Sequence, residues 1–406
     1  MLDRALLRTH ETGRVVGLDV ARCLALLGMM ATHLLVPVLP DGRLAWPQAL
    51  AGGRASALFA LLAGAAMGLV TGGVNPHQGR RWQGDAAGLL ARAVAIGALG
   101  LALGSLHTRV AVILTYYGLL FAMALPFAPL RPRSLFLWAG AWAVAVPVLS
   151  QLLRSSLAPT GAAVPTLASL DHPASLALDL LLTGYYPALI WLPYLLTGLA
   201  VSRLDLRRPD VLGRLAVAGA GLALAAWGLS RTITSSGSVR NALTSTWPGR
   251  EVSWVQLDEL LAHGLHGTTP TGSWWWLAVV APHSGTTLDL AQTAGSALAV
   301  VGICCLLTRF GARVWAVAFG AGAMTLSLYT LHVVMLTPWA WPDEAPERYS
   351  THVAVVVAIG AAFAAARLRG PAELAVRWLS QQAATAVTVD ERRREPQTPD
   401  DGTVGS

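Results

Sequence analysis

The 406-residue sequence contains no lysine, and charged residues make up only 13% of it. With 54% hydrophobic residues and a mean hydropathy of +0.54, this composition excludes an ordinary soluble domain and is typical of an integral membrane protein. The absence of lysine and the abundance of glycine and alanine indicate a GC-rich genome and helices that pack closely through small residues.

Cysteine is scarce, and the motifs of several enzyme classes are missing. Cys23, Cys304 and Cys305 lie in apolar runs without the spacing of metal ligands, so they predict neither a disulfide nor a metal site. No G-x-S-x-G, P-loop or H-E-x-x-H motif occurs, which argues against a hydrolase, an ATPase or a zinc protease. The N-terminus lacks the features of a signal peptide, so the first apolar run is expected to be a mature span.

Ten apolar runs dominate the chain, each near the ~20 residues that a membrane-spanning helix needs. We therefore predict an all-α integral membrane protein with about ten transmembrane helices. The runs lie at residues 15–39, 54–74, 87–106, 109–129, 134–153, 176–201, 211–231, 287–308, 313–338 and 350–368.

Arginines orient these spans, because positively charged residues concentrate in cytoplasmic loops. They fill both tails and alternate loops, which predicts that both termini are cytoplasmic. Since they lie in short loops rather than in one patch, the net charge of +7 does not indicate a nucleic-acid partner. The loop arginines include Arg80, Arg81, Arg92, Arg131, Arg133, Arg203, Arg207, Arg208, Arg214, Arg309 and Arg313.

The predicted organisation is one membrane domain between two cytoplasmic tails. The tails cover residues 1–14 and 379–406, the second of them predicted to be disordered, and the membrane domain covers 15–378. Two extracytoplasmic loops are long. We expect 154–175 to be irregular, whereas 232–286 carries a candidate amphipathic helix at Val252–His263 and a candidate aromatic belt at Trp274–Trp276.

The first apolar run carries three ionisable residues, which are costly inside a bilayer and usually mark function. Asp19 and Arg22 share one helix face, and His33 projects from a similar side about 21 Å beyond Asp19. Structural roles remain as alternatives: an ion pair at the membrane surface for Asp19 and Arg22, and a hydrogen-bonded core position for His33.

Polar residues from five regions fall at the outer side of the predicted membrane domain, which favours an extracytoplasmic cavity. A neutral histidine there can act as a general base or carry an acyl group, and an arginine can bind an anion. Alternatives are lipid contacts for the arginines, helix capping by Ser284 or Thr286, and a backbone hydrogen bond for His332. The group comprises His33, Arg54, His107, Arg109, His283, Ser284 and His332. Tyr185 and Tyr186 are further candidates for this group.

The segment Arg14–His33, R-x-x-G-L-D-V-A-R-x-L-A-L-L-G-M-x-x-x-H, resembles the first helix of the transmembrane acyltransferase superfamily. That superfamily includes the heparan-alpha-glucosaminide N-acetyltransferase-like, YeiB-like and acyltransferase-3 proteins. In acyltransferase-3 proteins a similar D-x-L-R segment precedes a catalytic histidine at this offset. The resemblance therefore assigns that role to His33 and matches Asp19 and Arg22 to the D-x-x-R element. The heparan-type catalytic histidine lies in the following loop, where this chain has none.

Five further stretches resemble the heparan-type and YeiB-like branch, and with the first helix they extend over most of residues 14–378. Their order and spacing are more specific than any single stretch. They are GRASALFALLAG (Gly53–Gly64), GYYPALIWLPYLLTGLAVSRLDL (Gly184–Leu206), PHSGT (Pro282–Thr286), GAMTLSLYTLHV (Gly322–Val333) and GPAEL (Gly370–Leu374).

The resemblance implies an acyl-CoA donor on the cytoplasmic side, an acceptor on the outer side, and passage of the acyl group within the protein. Cytoplasmic arginines would meet the phosphates of the donor, although the positive-inside rule explains them without a ligand. No metal is expected. The arginines assigned to the donor are Arg80, Arg81, Arg203, Arg207 and Arg208.

The leading hypothesis is a plasma-membrane acyltransferase that moves an acyl group, foremost acetyl, from acyl-CoA to a glycan or glycolipid. His33 is the candidate general base or acyl carrier, and His283 and His332 are candidates to assist it. The alternatives are a transporter of a small anion or lipid-linked metabolite and a membrane protein without turnover, and a homodimer is an open option. The candidates for acceptor binding are Arg54, Arg109, Ser284, Tyr185 and Tyr186.

Overall fold

The computed structural model describes residues 15–39, 43–157, 163–265, 267, 269–338, 340 and 348–394. Over these ranges the chain is helical, and its β-type pairing is limited to an isolated bridge between Val38 and Leu44. The prediction of a helical protein of membrane type is therefore confirmed. The N-terminal tail 1–14 lies outside the described residues, as does 395–406.

The described part of the chain contains sixteen α-helices, which we number in chain order. They are α1 (Val16–Leu34), α2 (Trp46–Ala51), α3 (Arg54–Val70), α4 (Gly79–Gly104), α5 (Leu114–Ala124), α6 (Pro132–Arg154), α7 (Pro173–Leu178), α8 (Ala188–Ser202), α9 (Pro209–Thr234), α10 (Gly237–Ser245), α11 (Trp254–His263), α12 (Thr287–Leu307), α13 (Ala312–Ala318), α14 (Thr325–Met335), α15 (Tyr349–Ala365) and α16 (Pro371–Arg394).

Six helical segments are long and apolar enough to cross a membrane: α1, α2 with α3, α4, α6, α9 and α12. A seventh results if α7, its π-helical continuation Asp179–Thr183 and α8 form one span, which bends by 56°. Three other predicted runs form shorter apolar helices, namely Leu114–Phe127, Thr325–Met335 and Tyr349–Ala365. All ten runs thus contain helix, and six or seven of them have the length of a span.

The run 313–338 is broken because its middle is rich in glycine. α13 ends at Ala318, a 3-10 turn covers Gly320–Ala323, and α14 starts at Thr325. The turn packs directly on α1, where a Cβ atom on Gly322 would overlap the backbone carbonyl of Asp19. This contact fixes how α14 runs beside α1.

Small residues also join α3 to α8. A Cβ atom on Gly64 would overlap the backbone of Leu195, and one on Gly198 would overlap the carbonyl oxygen of Leu61. Two helix backbones that approach this closely gain dispersion contacts that larger side chains would prevent. The expectation of close packing through small residues is met at this contact.

The loop 232–286 folds into a small unit of its own. It contains α10, α11 and a 3-10 turn at Trp274–Ala278 around a separate buried cluster. α11 matches the predicted helix and begins with a capping box between Ser253 and Gln256. Trp274 and Trp275 are exposed, as an aromatic belt requires, but Trp276 is fully buried and donates to Thr246 Oγ over 3.0 Å.

Two predicted boundaries differ from the structure. The region 154–175 is partly ordered, with a 3-10 turn at Leu167–Asp171 and the start of α7, whereas 158–162 lie outside the described residues. The boundary of the disordered tail at 379 falls inside α16, which continues to Arg394. Its earlier part packs against α4, where Ser380 lies beside Gly88. Packing against another helix therefore orders a segment whose composition is polar.

The contact at Gly198 predicts a measurable loss of stability. Gly198→Ala should lower the free energy of unfolding by roughly 1–3 kcal/mol, because the added methyl group forces α3 and α8 apart. Gly140→Ala is the matched control, since a Cβ atom at Gly140 has no neighbour within 4 Å. Thermal melting in detergent, followed by tryptophan fluorescence, measures both variants. Equal melting temperatures would contradict this role of Gly198.

Candidate functional site

The structure brings two predicted histidines into contact. His33 lies in the last turn of α1 and His332 in the last turn of α14, 299 residues later. His33 Nδ1 and His332 Nε2 are 3.1 Å apart, and the two rings are nearly parallel, with an interplanar angle of 9°. His332 is completely buried, whereas His33 is half-buried and forms the more accessible end of the pair.

A third histidine, which the sequence did not single out, extends this pair. His352 in the first turn of α15 is buried, and its Nδ1 lies 2.9 Å from Nδ1 of His332. We call His33, His332 and His352 the histidine chain. The sequence did carry a signal for His352, because it is an ionisable residue inside the apolar run 350–368.

A second cluster surrounds His283. Its ring stacks on Trp191, with an angle of 18° and 6.0 Å between centroids, and meets the edge of Tyr186 at 5.4 Å. The cluster adjoins the start of α3, since a Cβ atom on Gly53 would touch Pro282 and the backbone nitrogen of His283.

Ser284 is buried, and Thr286 is the N-cap of α12, where it accepts from the Asp289 N–H at 3.0 Å. Of the two residues predicted as helix caps, Thr286 is therefore the one that caps α12.

Arg54 lies beside this second cluster and is half-buried. Its Nη1 donates to the carbonyl of Ala49 at 2.6 Å, and its guanidinium is within electrostatic range of the buried Asp289 carboxylate. Asp289 also accepts a hydrogen bond from the backbone N–H of Gly285 at 3.1 Å. Sequence reasoning overlooked Asp289, although a carboxylate in an apolar run is the same kind of signal as His33.

An open cleft lies between α1, α3, α4, α5 and α14. The polar residues that line it are Arg22, Arg92, Tyr117, Tyr329 and Thr325, and its other lining residues are apolar. We call this space the arginine cleft. A cleft that combines two cations with apolar walls suits an anionic group attached to an apolar arm.

The two arginines of the cleft are differently paired. Arg22 Nη1 donates to Asp19 at 2.8 Å, which confirms that these two residues share a helix face. Arg92 lies over the Phe121 ring at 5.7 Å, and its buried Nε–H group has no acceptor in the described part of the chain. The sequence placed Arg92 in a cytoplasmic loop, but it lies in the middle of α4.

Helix α14 connects the arginine cleft to the histidine chain. Thr325 and Tyr329 line the cleft, and His332 follows on the same helical face, about 4.5 Å beyond Tyr329. Glu373 from the GPAEL segment holds the start of α14, because it accepts from Leu326 N at 2.7 Å and from Ser327 Oγ at 2.5 Å.

Arg203 occupies a structural position instead of facing a ligand. It is buried just after α8, and its Nη1 and Nη2 atoms donate to oxygens of Gly68, Thr71, Gly73 and Ala128 at 2.5–3.5 Å. Burial lowers the pKa of Arg203 to about 10, which still leaves it charged at neutral pH. The assignment of Arg203 to the donor is therefore not supported by its surroundings.

The remaining predicted residues are spread over the surface or contribute backbone contacts. Tyr185 is half-buried, and its N–H donates to the Tyr116 hydroxyl at 3.1 Å. Arg208 forms an ion pair with Asp210 at 2.9 Å. The exposed members are Arg80, Arg81, His107, Arg109, Arg207 and Arg208.

No protein-family model matches the chain, and a search of the curated proteins finds no match either. Within the described ranges, no group of three or more histidines, cysteines or carboxylates has the arrangement of a metal site. The histidine chain is a row of rings that pair nitrogen to nitrogen, which suits proton transfer.

The contacts of Arg203 predict a large effect on stability. Arg203→Leu should lower the free energy of unfolding by roughly 3 kcal/mol, because it leaves several buried carbonyl groups without donors. Arg208→Leu is the control, since Arg208 is exposed, and its melting temperature should stay unchanged. Differential scanning fluorimetry of both purified variants tests this role. A melting temperature of Arg203→Leu that equals the wild-type value would contradict it.

Proposed function

We propose that the protein is a membrane acyltransferase that moves an acyl group, foremost acetyl, from acyl-CoA to a glycan or glycolipid acceptor. The observation that carries the proposal is the 3.1 Å contact between His33 and His332. Two histidines that are distant in the sequence and meet in apolar surroundings suit general-base chemistry in a membrane.

His33 is the proposed base because it is the accessible end of the histidine chain. A neutral imidazole there takes the proton from an acceptor hydroxyl or amine as that group attacks the thioester carbonyl. The thiolate of CoA then leaves and takes that proton from the His33 imidazolium, and the acyl group becomes an ester or amide of the acceptor. His332 supports His33 through their shared hydrogen bond.

The arginine cleft is the proposed place for the anionic part of the donor. Arg92 offers a buried Nε–H group without an acceptor in the described chain, and Arg22, which is paired with Asp19, lines the same cleft. A phosphate bound there lies beside the face of α14 that leads to His332, and the apolar wall suits the arm of the donor. The exposed Arg80, Arg81, Arg207 and Arg208 add positive charge that would attract the anionic donor.

The proposed topology has ten spans, with both termini in the cytoplasm of a bacterial cell bounded by its plasma membrane. The arginine-rich loops support it. In this orientation the Val16 end of α1, with the arginine cleft, faces the cytoplasm, and the histidine chain lies nearer the outer side. The second cluster, with His283, Ser284, Tyr186 and the neighbouring Arg54, then adjoins the outer side and is the proposed acceptor region, with Tyr185 and Arg109 at its margin.

Loss of the base should abolish turnover without unfolding the protein. We expect His33→Ala to lower acceptor-dependent release of CoA from acetyl-CoA by about 10²- to 10⁴-fold, the usual contribution of a general base. The assay uses protein in nanodiscs with a cell-envelope extract as acceptor, and His263→Ala, an exposed histidine of α11, is the control.

Full activity of His33→Ala would contradict the assignment of the base. Absence of both CoA release and CoA binding by the wild type would contradict the acyltransferase proposal. Proteoliposomes that accumulate a labelled anion under a proton gradient would then favour the transporter.

The arginine cleft predicts a separate effect on donor binding. We expect Arg92→Gln to raise KM for acetyl-CoA at least tenfold with little change in kcat, because a charged hydrogen bond to the donor contributes about 1.5–3 kcal/mol. Arg207→Gln is the control, since Arg207 is exposed outside the cleft. Initial rates over a range of donor concentrations separate KM from kcat. An unchanged KM would contradict the proposal that the donor binds in the arginine cleft.

A further inference from the structure

The middle ring of the histidine chain uses both of its nitrogens. His332 pairs through Nε2 with His33 and through Nδ1 with His352, at 3.1 and 2.9 Å. A neutral imidazole has one N–H group and one lone pair. His332 therefore donates in one direction and accepts from the other, and the whole chain has one of two orientations.

The two orientations leave His33 with different chemistry. If the N–H groups point toward His352, His33 carries its proton on Nδ1 and its Nε2 has a lone pair. If they point toward His33, its Nδ1 accepts from His332, so the neutral ring carries its proton on Nε2. Only the first orientation leaves Nε2 of His33 able to take a proton from an acceptor.

We infer that His352 is a positioning residue that selects the first orientation. Its Nδ1 accepts the hydrogen bond from Nδ1 of His332, which makes Nε2 of His332 an acceptor for the Nδ1–H group of His33. His352 thus acts on the base through His332. The inference rests on the proposed function in one respect, because it takes His33 to be the base.

The surroundings of His352 support this role. The helix that carries it is tied to α1, since the hydroxyl of the adjacent Tyr349 donates to the carbonyl of Leu27 at 3.3 Å. Arg348 is within electrostatic range of His352. Its positive charge disfavours a doubly protonated His352 ring, which could only donate and would force the second orientation. Burial of His332 and His352 removes the water that would otherwise supply alternative partners.

Nitrogen-15 NMR of histidine-labelled protein in nanodiscs tests the inference directly, because the nitrogen shifts distinguish the two tautomers. His33→Asn identifies the signals of His33 by their loss. In the wild type we expect His33 to be protonated at Nδ1 and bare at Nε2. This measurement needs no variant at His352, so it holds even if such variants are unstable.

Two substitutions then separate positioning from packing. His352→Asn keeps an acceptor near the position of Nδ1, so His33 should keep its tautomer and turnover should stay within about threefold of wild type. His352→Leu removes the acceptor, so the Nε2–H tautomer of His33 should appear and kcat should fall about 10- to 100-fold, as when an orienting partner of a functional histidine is lost. His263→Asn is the control and should change neither quantity.

Each outcome has a distinct meaning. A wild-type His33 protonated at Nε2, or an unchanged tautomer in His352→Leu, would overturn the inference while leaving the proposed acyltransferase standing. Tautomers that respond as expected in a protein that neither binds nor turns over acyl-CoA would contradict the proposed function alone.

Discussion

The close backbone contact between Gly322 and Asp19 determines how the first helix meets the ninth apolar run. Because no side chain separates the two backbones there, α14 starts beside Arg22 and ends beside His33. The arginine cleft and the histidine chain are therefore two ends of one helix pair. A shift of α14 along α1 by a single turn, about 5.4 Å, would separate His332 from His33.

Apolar surroundings impose a second constraint, because each buried polar group needs a partner inside the protein. The structure meets this need with long-range contacts. Arg203 donates to the carbonyl groups of Gly73 and Ala128, which are distant in the sequence. Glu373 accepts hydrogen bonds from the first N–H groups of α14, and Gln48 donates to the carbonyl of Ala262 in α11 at 3.0 Å. The Nε atom of Arg92 is among the buried atoms that depart from this pattern, and a cation that departs from it beside an open cleft suits an anionic ligand.

Much of the fold and part of the site followed from the sequence. Hydropathy located all ten helical runs, and ionisable residues inside those runs identified His33, His332 and Arg22. The breaks within 313–338 were not predicted, because they depend on contacts that glycines make with α1. His352 was missed although it is an ionisable residue inside the apolar run 350–368, which is the signal that singled out His332. The buried contacts of Arg203 could not be predicted, because its acceptors are distant in the sequence. Arg92 was counted with the loop arginines although it lies inside the apolar run 87–106, and the structure places it within α4.

The hydrogen bond between His33 and His332 also sets an order for assembly. At a synthesis rate of about 5–20 residues per second, the 299 residues between them take roughly 15–60 s to appear. During that time α1 is present without α14, and His33 must find other partners, in lipid, water or an insertion factor. The histidine chain can close only after α14 and α15 have been made, so it is among the last contacts that the nascent protein forms.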